Sequence, residues 1–211
     1  MDRACANNRP RFRLAWRGRR RGWVEIALLV LALAIVAVGA LSMRLGPRWP
    51  RRLFFRGPAG IVIHHTATGA SVEGYVVDAE RIARWHERRG FSAEYRGQIY
   101  HIGYHYVILP DGTLQPGRPE WMLGAHTYGH NDYLGVCLVG NFDRRANPGG
   151  AQQPAAPTAA QMATLRSLLR DLMTKYRLQP EDVHGHCELG ATACPGDRFP
   201  LERLRADLLQ K

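Results

Sequence analysis

The chain has 211 residues, 45% of them hydrophobic, and a formal net charge of +11. This length accommodates one domain of about 150 residues and an additional segment. Residues 1–56 hold thirteen arginines and two acidic residues and so account for the entire net charge, whereas the remaining residues hold sixteen basic and sixteen acidic side chains. A domain without net charge argues against nucleic-acid binding, which favours a strongly basic domain.

The N-terminal segment predicts a membrane anchor. Ile26 to Leu41 contains no charged or strongly polar side chain, so residues 23–43 approach the ~20 residues with which a helix spans a bilayer. A basic stretch, an apolar core and Val38-Gly39-Ala40 also fit a cleavable secretory signal. The apolar run exceeds the usual signal core of about 7 to 15 residues, which favours an uncleaved signal anchor.

The positive-inside rule then orients the chain. The arginine-rich residues 1–22 form a cytoplasmic tail, residues 44–59 form a connector rich in arginine and proline, and residues 60–211 form an exported domain. We expect this domain to act on the far side of the membrane.

Residues 60–211 alternate strand-like and helix-like segments, which predicts a single α/β domain whose central mixed β-sheet is flanked by helices. The expected strands are Ile61–His65, Tyr104–Leu109, Thr113–Gln115 and Leu134–Val139. The expected helices are Asp78–Arg89, Thr158–Tyr176 and Leu201–Leu209. The last strand is continuously apolar, as in a central strand covered on both faces, and the second helix begins with a Thr-x-x-Gln capping box.

A metal site is indicated by the segment His184 to Pro195, which carries imidazole and thiol groups a few residues apart and is predicted to be a loop. Two ligands from this segment and one histidine from the strand Ile61–His65 would leave a fourth zinc position for water, as in catalytic zinc sites. Because adjacent strand residues point to opposite faces, only one of His64 and His65 can reach the metal. The pattern does not decide which. His184 and His186 lie two residues apart and could share a face.

The four cysteines divide by position. Cys5 lies in the predicted tail, and Cys137 lies in an apolar run, where a buried cysteine packs as a small hydrophobic residue. Cys187 and Cys194 could form a disulfide, which would remove Cys194 as a ligand. We favour the free thiol at Cys194.

Six short motifs follow one another along the domain: Val62–Thr68, Gly103–Tyr106, Pro110–Thr113, Gly124–Thr127, Gly135–Asn141 and His186–Pro195. In this order they resemble the zinc-dependent type 2 N-acetylmuramoyl-L-alanine amidases, a family that includes phage lysozyme-type amidases and peptidoglycan recognition proteins. The resemblance extends from about residue 60 to about residue 205. It implies hydrolysis of the amide that joins the muramic lactyl group to L-alanine in peptidoglycan.

The resemblance also implies roles for individual residues. His64, His186 and Cys194 would bind Zn²⁺, and Tyr104 would lie over the metal. Thr192 stands where the phage enzymes carry lysine and catalytically active recognition proteins carry threonine, so the identity of the general base is open. Tyr104 and Thr192 are the expected catalytic residues. Tyr104 could donate a hydrogen bond to the oxyanion formed during amide hydrolysis or pass a proton to the leaving amine, and Thr192 could add a second donor to the oxyanion.

His126 and Asn131 match positions that line the glycopeptide groove of the family. Glu188 is the carboxylate within the proposed site segment and could act as a base or as the partner of a histidine. Loop carboxylates are usually solvated, which argues against catalysis by Glu188.

Two alternative functions follow from the same resemblance. A non-catalytic peptidoglycan receptor would commonly lack the cysteine ligand, which is present here as Cys194. An amidase specific for soluble anhydro-muropeptides would tend to carry aspartate at that position, and its cytoplasmic members would lack a membrane segment. We therefore expect a monomeric, single-pass protein of the bacterial inner membrane whose catalytic domain faces the periplasm and acts on peptidoglycan or muropeptides.

Overall fold

The computed structural model describes residues 57–210. The predicted cytoplasmic tail, the predicted signal anchor and most of the connector lie outside the described residues. Within residues 57–210, none of the helices is long and apolar enough to cross a bilayer.

The described residues form nine strands and four helices. The strands are β1 (Ile61–His65), β2 (Ser71–Val72), β3 (Tyr75–Val76), β4 (Ala93–Tyr95), β5 (Gln98–Tyr100), β6 (Tyr106–Ile108), β7 (Leu114–Pro116), β8 (Leu134–Leu138) and β9 (Val183–Gly185). The helices are α1 (Ala79–Arg88), α2 (Ala159–Tyr176), α3 (His186–Leu189) and α4 (Leu201–Leu209), and a 3-10 turn spans Pro180–Asp182.

A five-stranded mixed sheet with the order β7-β6-β8-β1-β9 forms the centre of the fold. β1 is parallel to both β8 and β9, β6 is parallel to β8, and only β7 is antiparallel to its neighbour. Every residue of β1 and β8 is buried, as their continuous apolar runs predict. The predicted α/β domain with a central mixed sheet is therefore confirmed.

The two faces of the sheet are covered differently. Ile61 and Ile63 of β1 lie in the larger core, which contains the buried leucines of α2 and α4. A smaller core lies on the opposite face of the sheet and contains Val107 of β6 and Ile82 of α1. Because strand side chains alternate, His64 points away from the larger core and His65 points towards it.

Helix α2 is fixed at its first turn by the predicted capping box. The Thr158 hydroxyl accepts the Gln161 N–H at 3.0 Å, and the Gln161 side chain accepts the Thr158 N–H at 3.1 Å. Gln161 is fully buried, and its amide also donates to the carbonyls of Ile108 and Val139. This side chain therefore joins the start of α2 to the ends of β6 and β8.

The far end of α2 is tied to the loop before β8. The Glu120 carboxylate accepts hydrogen bonds from the hydroxyls of Tyr106 and Tyr176 and from Lys175. Burial alone would raise the pKa of Glu120, but these hydrogen bonds and the charge of Lys175 lower it. The cluster fixes the loop that carries the Gly124–Thr127 motif.

Some predicted boundaries were wrong. The segment predicted as the loop His184 to Pro195 begins with the end of β9 and the single-turn helix α3, because main-chain pairing with β1 orders its first residues. Tyr104 precedes β6 instead of lying within it. Asp78 caps α1, and its carboxylate accepts the Arg81 N–H at 2.8 Å.

Candidate metal centre

The direction of the β1 side chains separates the two adjacent histidines. His65 faces the larger core, where its Nδ1 accepts the main-chain N–H of Phe142 at 3.0 Å. His64 faces the opposite side and is 1% exposed. Of the two histidines, His64 is therefore the one whose ring approaches His186 and Cys194.

His186 reaches His64 because β9 pairs with β1. The register places Val62 opposite His184 and Ile63 opposite Gly185, so that His186 emerges beside His64 at the first residue of α3. The two imidazole rings are 4.6 Å apart between centroids. His184 lies elsewhere, next to the Tyr133 ring and 3.7 Å from the Glu188 carboxylate.

Cys194 completes the cluster. Its Sγ lies 3.6 Å from His64 Nδ1 and accepts the main-chain N–H of His65 at 3.4 Å. The cysteines among the described residues are free thiols, so the Cys187–Cys194 disulfide is not formed. Burial raises the pKa of Cys194 to about 12, although the His65 amide opposes this effect. The binding of a metal would therefore release the thiol proton.

Each of His64, His186 and Cys194 offers one ligand atom, and the three atoms lie within 4.8 Å of one another. Burial, followed by repulsion from His126 and His186, lowers the pKa of His64 well below its ordinary value, and burial also lowers the pKa of His186. Neutral imidazoles with a thiolate are ligands that zinc prefers. The described residues therefore contain a donor set that fits zinc.

Tyr104 forms one wall of this cluster. Its ring lies 5.0 Å from the His64 ring and 5.2 Å from the ring of buried His86, centroid to centroid. Burial, followed by the nearby thiols of Cys137 and Cys194, raises the pKa of Tyr104 well above its ordinary value. The hydroxyl therefore retains its proton at neutral pH and can act as a hydrogen-bond donor.

Thr192 lies on the exposed side of the cluster, two residues before Cys194. Its Oγ1 accepts the main-chain N–H of Cys194 at 3.2 Å. The oxygen is thus held by the backbone, while the hydroxyl proton is free to be donated to another acceptor.

His126 and Asn131 lie together behind His64. The Asn131 side-chain oxygen accepts the main-chain N–H groups of His126 and Thr127 at 3.0 and 3.1 Å. His126 Nδ1 lies 3.1 Å from His64 Nε2, and the His126 pKa is lowered to about 3, chiefly by burial and then by His105. Contact of these two residues with a glycopeptide stays a prediction.

Glu188 is held by Arg205 of α4. Both carboxylate oxygens accept hydrogen bonds from the guanidinium, and Oε2 also accepts the Gly185 N–H at 3.0 Å. Arg205 also donates to the Val183 carbonyl at 2.8 and 2.9 Å. The sequence gives no signal for Arg205, because this contact joins residues that are brought together only when α4 packs beside β9.

Comparison with known proteins agrees with this geometry. The family model described as N-acetylmuramoyl-L-alanine amidase (Amidase_2) matches residues 55–197. The endolysin of Klebsiella phage KP32 is 35% identical over 144 residues, which cover 68% of this chain and 82% of the endolysin.

Solved structures share the same fold. The N-acetylmuramoyl-L-alanine amidase LysC from Clostridium intestinale URNW has a TM-score of 0.59 and 34% identity, covering 74% of this chain and 87% of LysC. A mutant of Drosophila PGRP-LB in complex with tracheal cytotoxin has a TM-score of 0.51 and 25% identity, covering 69% of this chain and 80% of that protein. The family match, the similarity to phage endolysins and the shared fold together show that this chain belongs to the N-acetylmuramoyl-L-alanine amidase family.

Proposed function

We propose that this protein is a zinc-dependent N-acetylmuramoyl-L-alanine amidase that cleaves the amide between the muramic lactyl group and L-alanine of the peptidoglycan stem peptide. The observation that carries the proposal is the meeting of two imidazoles and one thiol within 4.8 Å, in a chain of the amidase family. His64, His186 and Cys194 would hold the metal. When bound, zinc with three protein ligands supplies an activated water and polarises the substrate carbonyl.

Tyr104 and Thr192 supply the hydrogen-bond donors. Amide hydrolysis places negative charge on the carbonyl oxygen, and one well-placed donor is typically worth about 2.7–4 kcal/mol in the transition state. The raised pKa of Tyr104 favours donation of a hydrogen bond over loss of the proton. The Thr192 oxygen already accepts the Cys194 N–H, which leaves its proton as a second donor.

The proposed place of action is the periplasm. The basic tail at residues 1–22 and the apolar run at residues 23–43 support a single-pass anchor in the bacterial inner membrane. Peptidoglycan lies on the side to which this orientation exports the domain. The presence of tracheal cytotoxin in the complex of the related PGRP-LB supports a muropeptide as the ligand class.

The test uses the purified full-length chain with zinc and muropeptides that carry an intact stem peptide. We expect mass spectrometry to detect free stem peptide. Cys194→Ser should lose both zinc and turnover, whereas Cys187→Ser should retain both, because Cys187 is an exposed thiol outside the donor set. If a folded, zinc-loaded chain releases no stem peptide, the proposal is refuted. Binding of muropeptide without release would identify a receptor.

A further inference from the structure

The hydrogen bonds behind His64 define which nitrogen of each ring carries a proton. His126 Nε2 lies 3.0 Å from the main-chain carbonyl oxygen of Tyr133. A carbonyl oxygen can only accept, so His126 Nε2 must donate an N–H. A neutral imidazole has one N–H, and Nδ1 of His126 is therefore an acceptor.

This acceptor faces His64. His126 Nδ1 is 3.1 Å from His64 Nε2, and two bare lone pairs at this distance would repel each other. His64 Nε2 therefore carries the proton. The other ring nitrogen, His64 Nδ1, keeps its lone pair and lies 3.6 Å from Cys194 Sγ, on the side where the three ligand atoms meet.

Thr127 is compatible with the same assignment. Its hydroxyl lies 3.0 Å from His126 Nδ1 and 3.4 Å from His64 Nε2, and it can donate to the former while accepting from the latter. The Thr127 hydroxyl can therefore hydrogen-bond to both rings in the tautomers that the Tyr133 carbonyl requires.

Two glycines hold the His126 ring in place. A Cβ at Gly124 would lie 2.4 Å from His126 Cδ2, and a Cβ at Gly135 would lie 2.5 Å from the same atom. The main chain approaches the ring at both positions more closely than any other residue permits. Asn131 holds the His126 main chain as well. His126 is therefore confined at its ring near Cδ2 and held at its backbone.

We propose that His126 is a positioning residue that fixes the tautomer of His64, so that Nδ1 is the nitrogen presented to the metal. The inference rests on the proposed zinc site. Which ring nitrogen binds a metal is set by the hydrogen bond of the other one, and loss of such a partner typically lowers metal affinity by about 10–100-fold. This role differs from the predicted contact of His126 with a glycopeptide.

The direct test is the tautomer itself. Long-range ¹H–¹⁵N correlation spectra of the metal-free, full-length chain at neutral pH report which nitrogen of each histidine is protonated. We expect the proton of His64 on Nε2 and that of His126 also on Nε2. A proton on Nδ1 of His64 would overturn the inference, and this measurement requires no variant.

Zinc affinity supplies the second test. We expect His126→Leu to weaken zinc binding about 10–100-fold in a chelator competition titration, since the ring acceptor 3.1 Å from His64 Nε2 is then lost and the Thr127 hydroxyl, at 3.4 Å, is the more distant partner that is left. His126→Asn should retain most of the affinity, because its side-chain oxygen can stand in for Nδ1. His101→Leu is the matched control, because this partly exposed histidine bonds to Ser92 and lies outside the donor set.

The outcomes separate this inference from the proposed function. Failure of the wild-type chain to bind zinc would refute the proposed function. If the wild type binds zinc and folded His126→Leu binds it with the same affinity, only the positioning role is refuted. If His126→Leu does not fold, the tautomer of His64 measured in the wild-type chain tests the positioning role.

Discussion

Glu188→Gln distinguishes a structural carboxylate from a catalytic base. The Glu188 carboxylate accepts hydrogen bonds from the Arg205 guanidinium through both oxygens and from the Gly185 N–H through one. Because both oxygens are engaged, we expect the side chain to brace the segment that carries His186 and not to accept a proton during the reaction. The substitution should therefore lower stability and leave kcat within about threefold of the wild type, far from the 100-fold minimum typical of a lost general base.

The expected loss of stability follows from the contacts. Hydrogen bonds that involve a charged group contribute about 1.5–3 kcal/mol each. The side chains of Glu188 and Arg205 are 35% and 19% exposed, so solvent screening reduces this figure, and glutamine keeps one acceptor. We expect a loss of about 1–2 kcal/mol, which lowers the Tm by roughly 2–8 °C for a protein of this size.

The assay pairs stem-peptide release with the thermal unfolding of the zinc-loaded chain. Arg205→Gln should show a larger Tm loss, because it also removes the hydrogen bonds to the Val183 carbonyl. The double variant should lose less than the two single losses combined, because the residues contact each other. A fall in kcat of about 100-fold or more in Glu188→Gln, with unchanged Tm and zinc content, would refute the structural role and identify Glu188 as the base.

Three further outcomes are expected. Tyr104→Phe should lower kcat by about 10²–10³-fold at unchanged zinc content, since it removes one oxyanion donor and little volume; an unchanged kcat would contradict the assigned role. Thr192→Ala should lower kcat by about tenfold, less than a buried donor would, because the hydroxyl is exposed; equal effects at both positions would contradict this ranking. Glu120→Gln should lower the Tm at neutral pH but not in acid. Burial raises the pKa of Glu120, but its hydrogen bonds together outweigh burial and lower that pKa in the folded state. The ionised carboxylate therefore stabilises the fold fully above about pH 4.5, and this stabilisation is lost as the pH falls through the folded-state pKa. Thermal melts from about pH 3 to 8 check this, and a Tm difference that persists at the acid end would contradict it.

Much of the fold was predictable because local signals agree with it. The buried runs of β1 and β8 and the capping box of α2 depend on side-chain periodicity and on contacts within one turn. The short elements were harder to predict. β9 and α3 have three and four residues, too few for periodicity, and they are ordered by pairing with a strand more than one hundred positions earlier in the chain.

The choice of histidines shows where sequence reasoning ends. Alternation established that His64 and His65 face opposite sides of β1, but only the packing of the sheet shows that His65 meets Phe142 and His64 meets Cys194. Similarly, His184 and His186 are separated because the former pairs within β9 and the latter begins α3. These distinctions depend on contacts between distant segments.

His86 and His105 are buried histidines whose imidazole rings are hydrogen-bonded to the main chain. His86 Nδ1 accepts the Gly103 N–H at 2.9 Å, and burial, followed by Arg89, lowers its pKa to about 4. His105 Nδ1 accepts the Gly135 N–H at 2.9 Å, and its Nε2 lies 2.8 Å from the Met122 carbonyl. Because a charged ring would be costly at these positions, each ring is neutral and bonded to the main chain. Peptide groups therefore determine which nitrogen is protonated in each of these rings, as the Tyr133 carbonyl does for His126.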